Sequence, residues 1–311
     1  MDKSKSELYT ATLDKDGKIV WVKKKNSMGA FDYFNYAFFI LFGVICLFPV
    51  VYEVLLSFAS RADYLHFKII VFPAHFNLEA YKSIFFQGQV GRSFLISVGL
   101  TVGGTLYSMI LTSLGAYIFT RKQVPGMKIL FTFVIFTMFF GGGLIPFYFV
   151  CKDIFGTDNL WVLVLPFGIN TFNMIVLRNF FSQVPESIIE SCRLDGASEF
   201  TILLLFVIPL SKAGLATVIL FYVVGKWDDW YWPMIFLTKN THLSPLALEL
   251  RNVLTMGVDR PIEDGEIDWT QIFSEGRNAA MICISLLPIL CIYPFLQKYF
   301  TKGVMIGGVK A

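Results

Sequence analysis

Charged and aromatic side chains are mixed over residues 226–232, KWDDWYW, within an otherwise apolar stretch. Aromatic faces stack on the apolar faces of sugar rings, and carboxylates accept hydrogen bonds from sugar hydroxyls, so this cluster suits carbohydrate binding. Tryptophan is also enriched at membrane interfaces whatever the substrate, and an aromatic belt is an equally good interpretation. The candidate substrate-contacting residues of the cluster are Trp227, Asp228, Asp229, Trp230 and Trp232.

Two further polar side chains, Asn170 and Asn173, interrupt the apolar run 159–177. They are candidate substrate-pathway residues, since an amide can hydrogen-bond a passing solute. They are also suited to hydrogen bonds between neighbouring helices, and the sequence slightly favours this second role.

The remaining reactive side chains form no recognisable catalytic or metal-binding pattern. The five cysteines show no CxxC pair, and the three histidines lack the spacing of metal ligands. No GxxxxGK[ST] phosphate-binding motif occurs. We therefore expect no metal site, no disulfide framework and no nucleotide hydrolysis by this chain alone, and we expect that it is not an enzyme.

A compact charged insert, VPESIIESCRLDGASEF, lies at residues 184–200. Pro185 suits the first position of a helix, and Glu186 in the first turn complements the helix dipole. The helix is expected to be amphipathic, with Ile189 and Cys192 on its apolar side and Glu190 on its polar side. It is too short to stand alone in water and must pack against something.

Asp195 and Gly196 predict the end of this helix, because glycine accepts a left-handed backbone and Asp195 can cap the helix that follows. The small Ala197 leaves room for a close neighbour, and the next apolar helix is expected to run to a bend at Pro209. Such a rigid corner suits docking into a groove of a partner. An interfacial helix lying on lipid headgroups, or a plain loop, fits the same residues.

The elements that position these residues follow from an unusually apolar composition: 55% of the residues are hydrophobic and only 16% are charged. This excludes an ordinary water-soluble domain and predicts an all-α membrane protein. Six membrane spans are predicted from uncharged or weakly charged runs long enough to cross a bilayer, namely 36–52, 93–120, 129–151, 159–177, 211–237 and 278–297. In the third run, Gly141–Gly143 and Pro146 predict either a flexible point or close packing of small residues against a neighbouring subunit.

The orientation follows from the basic residues. With the amino terminus inside, cytoplasmic segments contain 16 of the 26 Lys and Arg residues, including Lys23–Lys25 beside the first span. Both termini and the insert are therefore expected in the cytoplasm, with the first span kept as an anchor rather than cleaved as a signal peptide. The basic tail, residues 1–30, either forms a small hairpin around Asp16-Gly17 or is mobile.

The stretch ESCRLDGAS, followed by Ile208-Pro209-Leu210, resembles the EAA motif of permease subunits in bacterial ABC importers. Ser191 and Cys192 replace the two alanines of that motif, and both are small. The resemblance implies a MetI-like permease fold, residues 31–311, with six transmembrane helices and a cytoplasmic loop that docks on an ATPase. We call residues 178–210 the coupling loop. The resemblance assigns ATPase coupling to Glu190, Asp195, Gly196, Ala197 and Pro209.

Other stretches extend this resemblance over most of the chain: FFGGGLIPFYFV at 139–150, KWDDWYWPMIFL at 226–237 and YFTKGVMIGGVKA at 299–311 are similar to carbohydrate-uptake permeases of the maltose-permease type. The resemblance implies that a tail of Gly307, Gly308, Val309 and Lys310 also contacts the ATPase. A frayed terminus is the ordinary alternative for such a tail.

The same resemblance implies the partners: a second, related permease, two ATPase subunits that bind ATP and Mg, and an extracytoplasmic solute-binding protein received by the long outer segments 60–92 and 239–276. The chain itself is expected to bind no cofactor and no nucleic acid, to lie in the bacterial cell membrane and to transport a sugar, and the resemblance favours an oligosaccharide.

The alternatives are an ion-coupled carrier or small-solute channel and a membrane-embedded enzyme. Charges within the predicted spans are scarce, which favours a neutral solute moved by a partner.

Overall fold

The computed structural model describes residues 9–13, 19–23, 29–66, 72–73, 75–86, 89–121, 123–256 and 273–307. The chain divides into two compact units, residues 1–52 and 53–311. Helices dominate the described residues, as the composition predicts.

The strands β1 (Tyr9–Leu13) and β2 (Ile19–Lys23) pair in antiparallel register, with Tyr9 opposite Lys23 and Leu13 opposite Ile19. Of the two interpretations of the amino-terminal tail, the paired strands are the one observed.

Three helices within the described residues are long and apolar enough to cross a membrane: α1 (Ala30–Ser57), α4 (Gln89–Ile118) and α14 (Ser274–Gly307). The shorter helices are α2 (Arg61–His66), α3 (Glu79–Phe86), α5 (Met127–Phe139), α6 (Leu144–Phe155), α7 (Thr171–Phe181), α8 (Glu186–Leu194), α9 (Glu199–Ile202), α10 (Ile208–Leu210), α11 (Lys212–Trp227), α12 (Tyr231–Phe236) and α13 (Leu246–Met256). Single turns of 3₁₀-helix occupy Trp161–Leu163 and Thr241–Leu243, and a π-helical turn occupies Leu203–Val207.

Two pairs of helices form apolar segments that are sharply bent. The pair α5 and α6 is bent by 114° at Phe140–Gly143, where Gly143 has a φ of 87°. The glycine triplet therefore breaks the third predicted span instead of only loosening it, because a positive φ cannot continue a right-handed helix. The segments Glu199–Leu210 and Lys212–Trp227 are bent by 88°.

The predicted count of six spans is not confirmed, since the described residues give three spanning helices, or five if each bent pair is one span. The run 159–177 is not a single helix: a 3₁₀ turn and an irregular stretch precede α7, which begins only at Thr171. Pro166 and Gly168 lie in that irregular stretch, and both disfavour a continuous helix. In the run 211–237, the helix ends at Trp227, next to the two aspartates.

A buried row of hydroxyl side chains follows one face of α4 at helical spacing. Its members are Ser93, Ser97, Thr101, Thr105, Ser108 and Thr112. The hydroxyl of Ser97 accepts from the N–H of Leu246 at 2.8 Å, and Thr112 shares a hydrogen bond of 2.6 Å with Tyr222 on α11. Small polar side chains allow helices to approach closely, and α4 packs most extensively against α11.

One apolar core cluster joins the coupling loop to the membrane helices. The loop contributes Phe181, Val184, Ile189, Cys192, Ile202, Leu203 and Val207 to it. These side chains pack with Ala116 and Tyr117 of α4, Met174 and Leu177 of α7, and Val218 and Tyr222 of α11. The coupling loop is therefore a packed part of the helical unit and not a loose connection.

Candidate functional site

The helix α8 of the coupling loop is amphipathic, as its sequence predicts. Ile189 and Cys192 are buried, whereas Glu190 is exposed. Leu194, the last residue of the helix, exposes 89% of its surface. An apolar side chain this exposed at the tip of a packed helix offers contact area to a partner.

The corner after α8 is a Schellman motif. Gly196 adopts a φ of 80°, its N–H donates to the carbonyl of Arg193 at 3.0 Å, and the N–H of Ala197 donates to the carbonyl of Cys192 at 2.9 Å. These two bonds satisfy carbonyls that the helix end would leave free, which makes the corner rigid. Glycine is required at this position because other residues are strained at such a φ.

Asp195 does not cap the following helix, contrary to the sequence expectation. Its backbone closes α8, while Ser198 caps α9 by accepting from the N–H of Thr201 at 3.2 Å. Serine is as good a capping residue as aspartate and lies directly before the helix. The side chain of Asp195 is consequently left exposed on the corner, next to Gly196.

Pro209 lies away from the corner, at the bend before α11. It has no N–H to donate to the carbonyl of Leu205, and the preceding turn is π-helical, with the N–H of Ile208 bonded to the carbonyl of Leu203. The structure thus groups Glu190, Asp195, Gly196 and Ala197 around one corner and places Pro209 at the far end of the next helical segment. Of the tail, Gly307 is the last residue of α14, and Gly308, Val309 and Lys310 lie outside the described residues.

A second site is a cavity of about 340 Å³ that brings together most of the candidate substrate-contacting residues. Five of them line it: Asn170, Asn173, Asp228, Asp229 and Trp232. Lys226, Phe167 and Tyr222 also line it and were not among the candidates. The cavity combines a cation, two carboxylates, two amides and aromatic rings, which are the groups that hold a polyhydroxylated solute.

Trp232 forms the aromatic wall of this cavity. Its ring centroid lies 5.0 Å from that of Phe147, 4.9 Å from that of Phe167 and 5.9 Å from that of Phe236. Asp229, which lies two residues before α12, accepts from the N–H of Trp232 at 3.2 Å. The wall is thereby held in place by both rings and backbone.

Trp227 and Trp230 do not line the cavity. Trp227 is buried, packs edge-on against Phe94 with ring centroids 5.8 Å apart and donates its indole N–H to the carbonyl of Ser285 at 2.9 Å. Trp230 lies under the guanidinium of Arg251, 4.7 Å from its ring centroid. Both rings are engaged within the fold, so their place in a substrate pathway remains a sequence-based prediction.

The amides have defined local roles beside the cavity. Asn170 caps α7 by accepting from the N–H of Asn173 at 3.1 Å, and its own N–H donates to the hydroxyl of Tyr222 at 3.0 Å. Tyr222 therefore links α11 to the start of α7 and, through Thr112, to α4. A buried hydroxyl that serves two partners stabilises one arrangement of three helices.

Replacing Tyr222 with phenylalanine is expected to lower the free energy of unfolding by about 1–3 kcal/mol, because the buried Thr112 hydroxyl is left without its partner and the Asn170 N–H loses its hydrogen bond. Thermal unfolding of the purified complex measures this loss. Tyr231→Phe is the matched control, since Tyr231 is 39% exposed. Equal melting temperatures for the two variants would contradict the linking role of Tyr222.

A third feature ties together two loops that are distant in sequence. Asp158, at a φ of 59°, accepts from the backbone N–H groups of Lys239 at 2.6 Å and Asn240 at 3.1 Å. These donors, Lys239 first, hold the pKa of Asp158 below its ordinary value. The clasp fixes the start of the segment 239–276, whose residues 257–272 lie outside the described part of the chain. No local sequence signal pointed to it.

A comparison with models of known protein families gives no match. Protein LplC of Bacillus subtilis (strain 168) is 38% identical over 281 residues, which cover 90% of this chain and 95% of that protein. The polygalacturonan/rhamnogalacturonan transport system permease protein YtcP of the same strain is 36% identical over 281 residues, covering 90% of this chain and 98% of that one.

The chain also matches a solved structure of a bacterial ABC transporter involved in the import of the acidic polysaccharide alginate. The TM-score is 0.79 at 27% sequence identity, and the match covers 87% of this chain and 96% of the other.

Proposed function

Because the chain belongs to the family of sugar permeases of ABC transport systems, we propose that it forms half of the membrane pathway of an oligosaccharide importer and docks a cytoplasmic ATPase through the coupling loop. Permease subunits of this family are not enzymes, and ATP hydrolysis belongs to a separate subunit. This chain is accordingly a non-enzymatic membrane subunit, and ATP and Mg act through its partners.

The observation that carries the docking role is the exposed Schellman corner backed by a buried apolar face. Glu190, Asp195 and Gly196 are exposed, while Ile189 and Cys192 anchor the same helix in the core. A rigid protrusion can transmit a displacement from its partner to the fold behind it, whereas a mobile loop would absorb it. The tail from Gly307 to Lys310 is proposed as a second contact with the ATPase.

The cavity around Trp232 is proposed as part of the sugar pathway, with Asp228 and Asn173 as hydrogen-bonding groups and Trp232 as a stacking surface. Polar groups beside an aromatic wall match the two kinds of surface that a sugar presents. One relative handles polygalacturonan and rhamnogalacturonan, according to its name, and the alginate importer handles an acidic polysaccharide. These names support a saccharide longer than a monosaccharide.

The remaining assembly is proposed from the family: a heterodimer with a second permease, two ATPase subunits and an extracytoplasmic binding protein received by the outer segments 60–92 and 239–276. Both termini are proposed to lie in the cytoplasm of a bacterial cell, because positive charges lie beside the first span. ATP binding would draw the two coupling loops together and shift the helices towards an outward-open state.

Reconstitution tests this proposal. The chain is placed in liposomes with its candidate partner permease, ATPase and binding protein, and ATP hydrolysis is measured with oligogalacturonides, alginate oligosaccharides and maltose. We expect at least one of these sugars, delivered by the binding protein, to stimulate hydrolysis and to accumulate in the liposomes. Uptake that continues without ATP and stops with an uncoupler would instead indicate an ion-coupled carrier.

A further inference from the structure

We call residues 117–121, the last two residues of α4 and the turn after them, the end of α4; it is bonded to the chain on both sides of the coupling corner. One bond comes from Arg178, near the start of the coupling loop, and the others from Glu199, directly after the corner. Residues 179–198, which include α8 and the corner, therefore lie between two attachments to a single helix end.

The attachment at the start of the loop is a guanidinium. Arg178 of α7 donates its Nε–H to the carbonyl of Phe119 at 2.8 Å, and its guanidinium lies 4.4 Å from the ring centroid of Phe131. The carbonyl of Phe119 lies just beyond α4, where the negative end of the helix dipole favours a cation.

The attachment after the corner is a carboxylate shared by three donors. Glu199 accepts from the hydroxyl of Tyr117 at 2.6 Å and from Nε of Arg193 at 2.8 Å, and its Oε2 lies 3.2 Å from the guanidinium of Arg121. Its bond to Arg193 raises the pKa of that guanidinium above the ordinary value. Two of the donors belong to the end of α4 and the third to α8, so one carboxylate joins three segments.

The contact between Arg121 and Glu199 is important for stability because Arg121 is nearly buried. Its side chain is only 13% exposed, and within the described residues Glu199 is its one ionic partner. The guanidinium also lies 4.3 Å from the ring centroid of Tyr117 and donates to the hydroxyl of that residue. An isolated surface ion pair contributes little, but a nearly buried charge that loses its partner is costly.

The helix α4 also reaches the cavity around Trp232. The helix α4 runs without a break from its attachments towards the cavity, where Leu100 forms part of the lining. At Gly104 the side chain of Lys226 passes so close that an added Cβ would lie 2.9 Å from Lys226 Cδ. Gly104 and Tyr117 are about 20 Å apart along the helix axis, so one rigid helix connects the corner with the wall of the cavity.

We propose that Arg121 and Glu199 are positioning residues that fasten the coupling corner to α4, so that a displacement of the corner by the ATPase moves α4 against Lys226 and the cavity. This inference rests on the proposed function. It deepens that function by naming the helix that carries the motion and the contact through which the motion enters it.

Residues that only stabilised the fold would affect assembly, whereas residues that transmit motion affect the sugar moved per ATP hydrolysed. The test therefore uses the complete reconstituted importer with Glu199→Ala, Glu199→Gln, Arg121→Met and the Glu199→Ala/Arg121→Met double variant. Co-purified ATPase, stimulated hydrolysis and sugar uptake are all measured, with the sugar that stimulates the wild type most among oligogalacturonides, alginate oligosaccharides and maltose. Asp153→Asn is the control, because Asp153 is an exposed carboxylate of α6 that lies outside the coupling loop.

We expect each single substitution to lower the sugar transported per ATP about fivefold or more, with ATPase still bound, while the control keeps the wild-type ratio. The double variant should be no worse than either single one, because both substitutions break the same link. Wild-type ratios in all variants, additive losses, or loss of assembly even in Glu199→Gln would each overturn the inference. A wild-type complex without stimulated hydrolysis would overturn the proposed function, and this inference with it.

Discussion

Replacing Gly196 with valine is expected to lower substrate-stimulated ATP hydrolysis at least about tenfold, equivalent to a loss of about 1.4 kcal/mol or more in coupling. Gly196 has a φ of 80°, where a residue other than glycine costs about 1–2 kcal/mol and a β-branched residue costs more. The corner relieves this strain by changing its backbone path, which moves Glu190 and Asp195 relative to each other. Nothing lies within 4 Å of the added Cβ, so the effect is conformational and not a clash.

Gly156→Val is the matched control for this experiment. Gly156 also ends a helix, has a φ of 77°, and an added Cβ there would meet its nearest atom at 3.5 Å. At a ψ of -176° this backbone is also one that residues other than glycine rarely adopt, so valine is strained here too, but outside the coupling loop. Stimulation should persist in assembled complexes of the control, and equal losses in the two variants would mean that strain alone, and not the corner, is responsible.

Replacing Asp228 with alanine is expected to lower the rate of sugar uptake about tenfold at a saturating concentration of loaded binding protein. Asp228 lines the cavity and is exposed, and within the described residues its carboxylate has no hydrogen-bond partner. It is therefore free to accept from a sugar hydroxyl, and such charged hydrogen bonds contribute about 1.5–3 kcal/mol. Its N–H still bonds to the carbonyl of Val224 after the substitution, so the end of α11 is preserved.

The control for Asp228 is Asp153→Ala, which removes an exposed aspartate from α6 outside the cavity. Binding of the loaded binding protein to the liposomes is measured in parallel and should equal the wild type in both variants. If Asp228→Ala transports at the wild-type rate, the cavity is not part of the sugar pathway.

The coupling corner is the part of the site that the sequence predicts best, since its signals are local. Pro185, the spacing of Ile189 and Cys192, and Gly196 each act within one or two helical turns, and the structure has the amphipathic helix and the corner where they indicate them. The capping role of Asp195 was wrong because two good capping residues compete there, and the serine directly before α9 takes the role.

Features that join distant parts of the chain were not predictable from one sequence. The pairing of Arg121 with Glu199 and the clasp of Asp158 with Lys239 each connect residues about 80 positions apart. The sequence also did not predict that Lys226 lines the cavity. Only the fold shows that its side chain passes close to α4 at Gly104.

The six predicted spans are not confirmed where average hydrophobicity hides single residues that break helices. The runs 129–151 and 159–177 are apolar enough to span, yet both are interrupted at glycine and proline residues. In a membrane such breaks are tolerated when they lie against protein or a cavity. The break before α7 borders the cavity through Phe167 and Asn170.

The hydroxyl row along α4 has a consequence for how the helices can rearrange. The hydroxyls of Thr101 and Thr105 are buried and, within the described residues, lack a hydrogen-bond partner, whereas Thr112 is paired with Tyr222. Interlocked apolar side chains must unpack before one helix can shift along another, but hydroxyls spaced by one turn can exchange partners at each step. Tyr222 and Thr112 stabilise the observed arrangement of α4 and α11, and we expect the Thr101 and Thr105 hydroxyls to find hydrogen-bond partners when that arrangement changes.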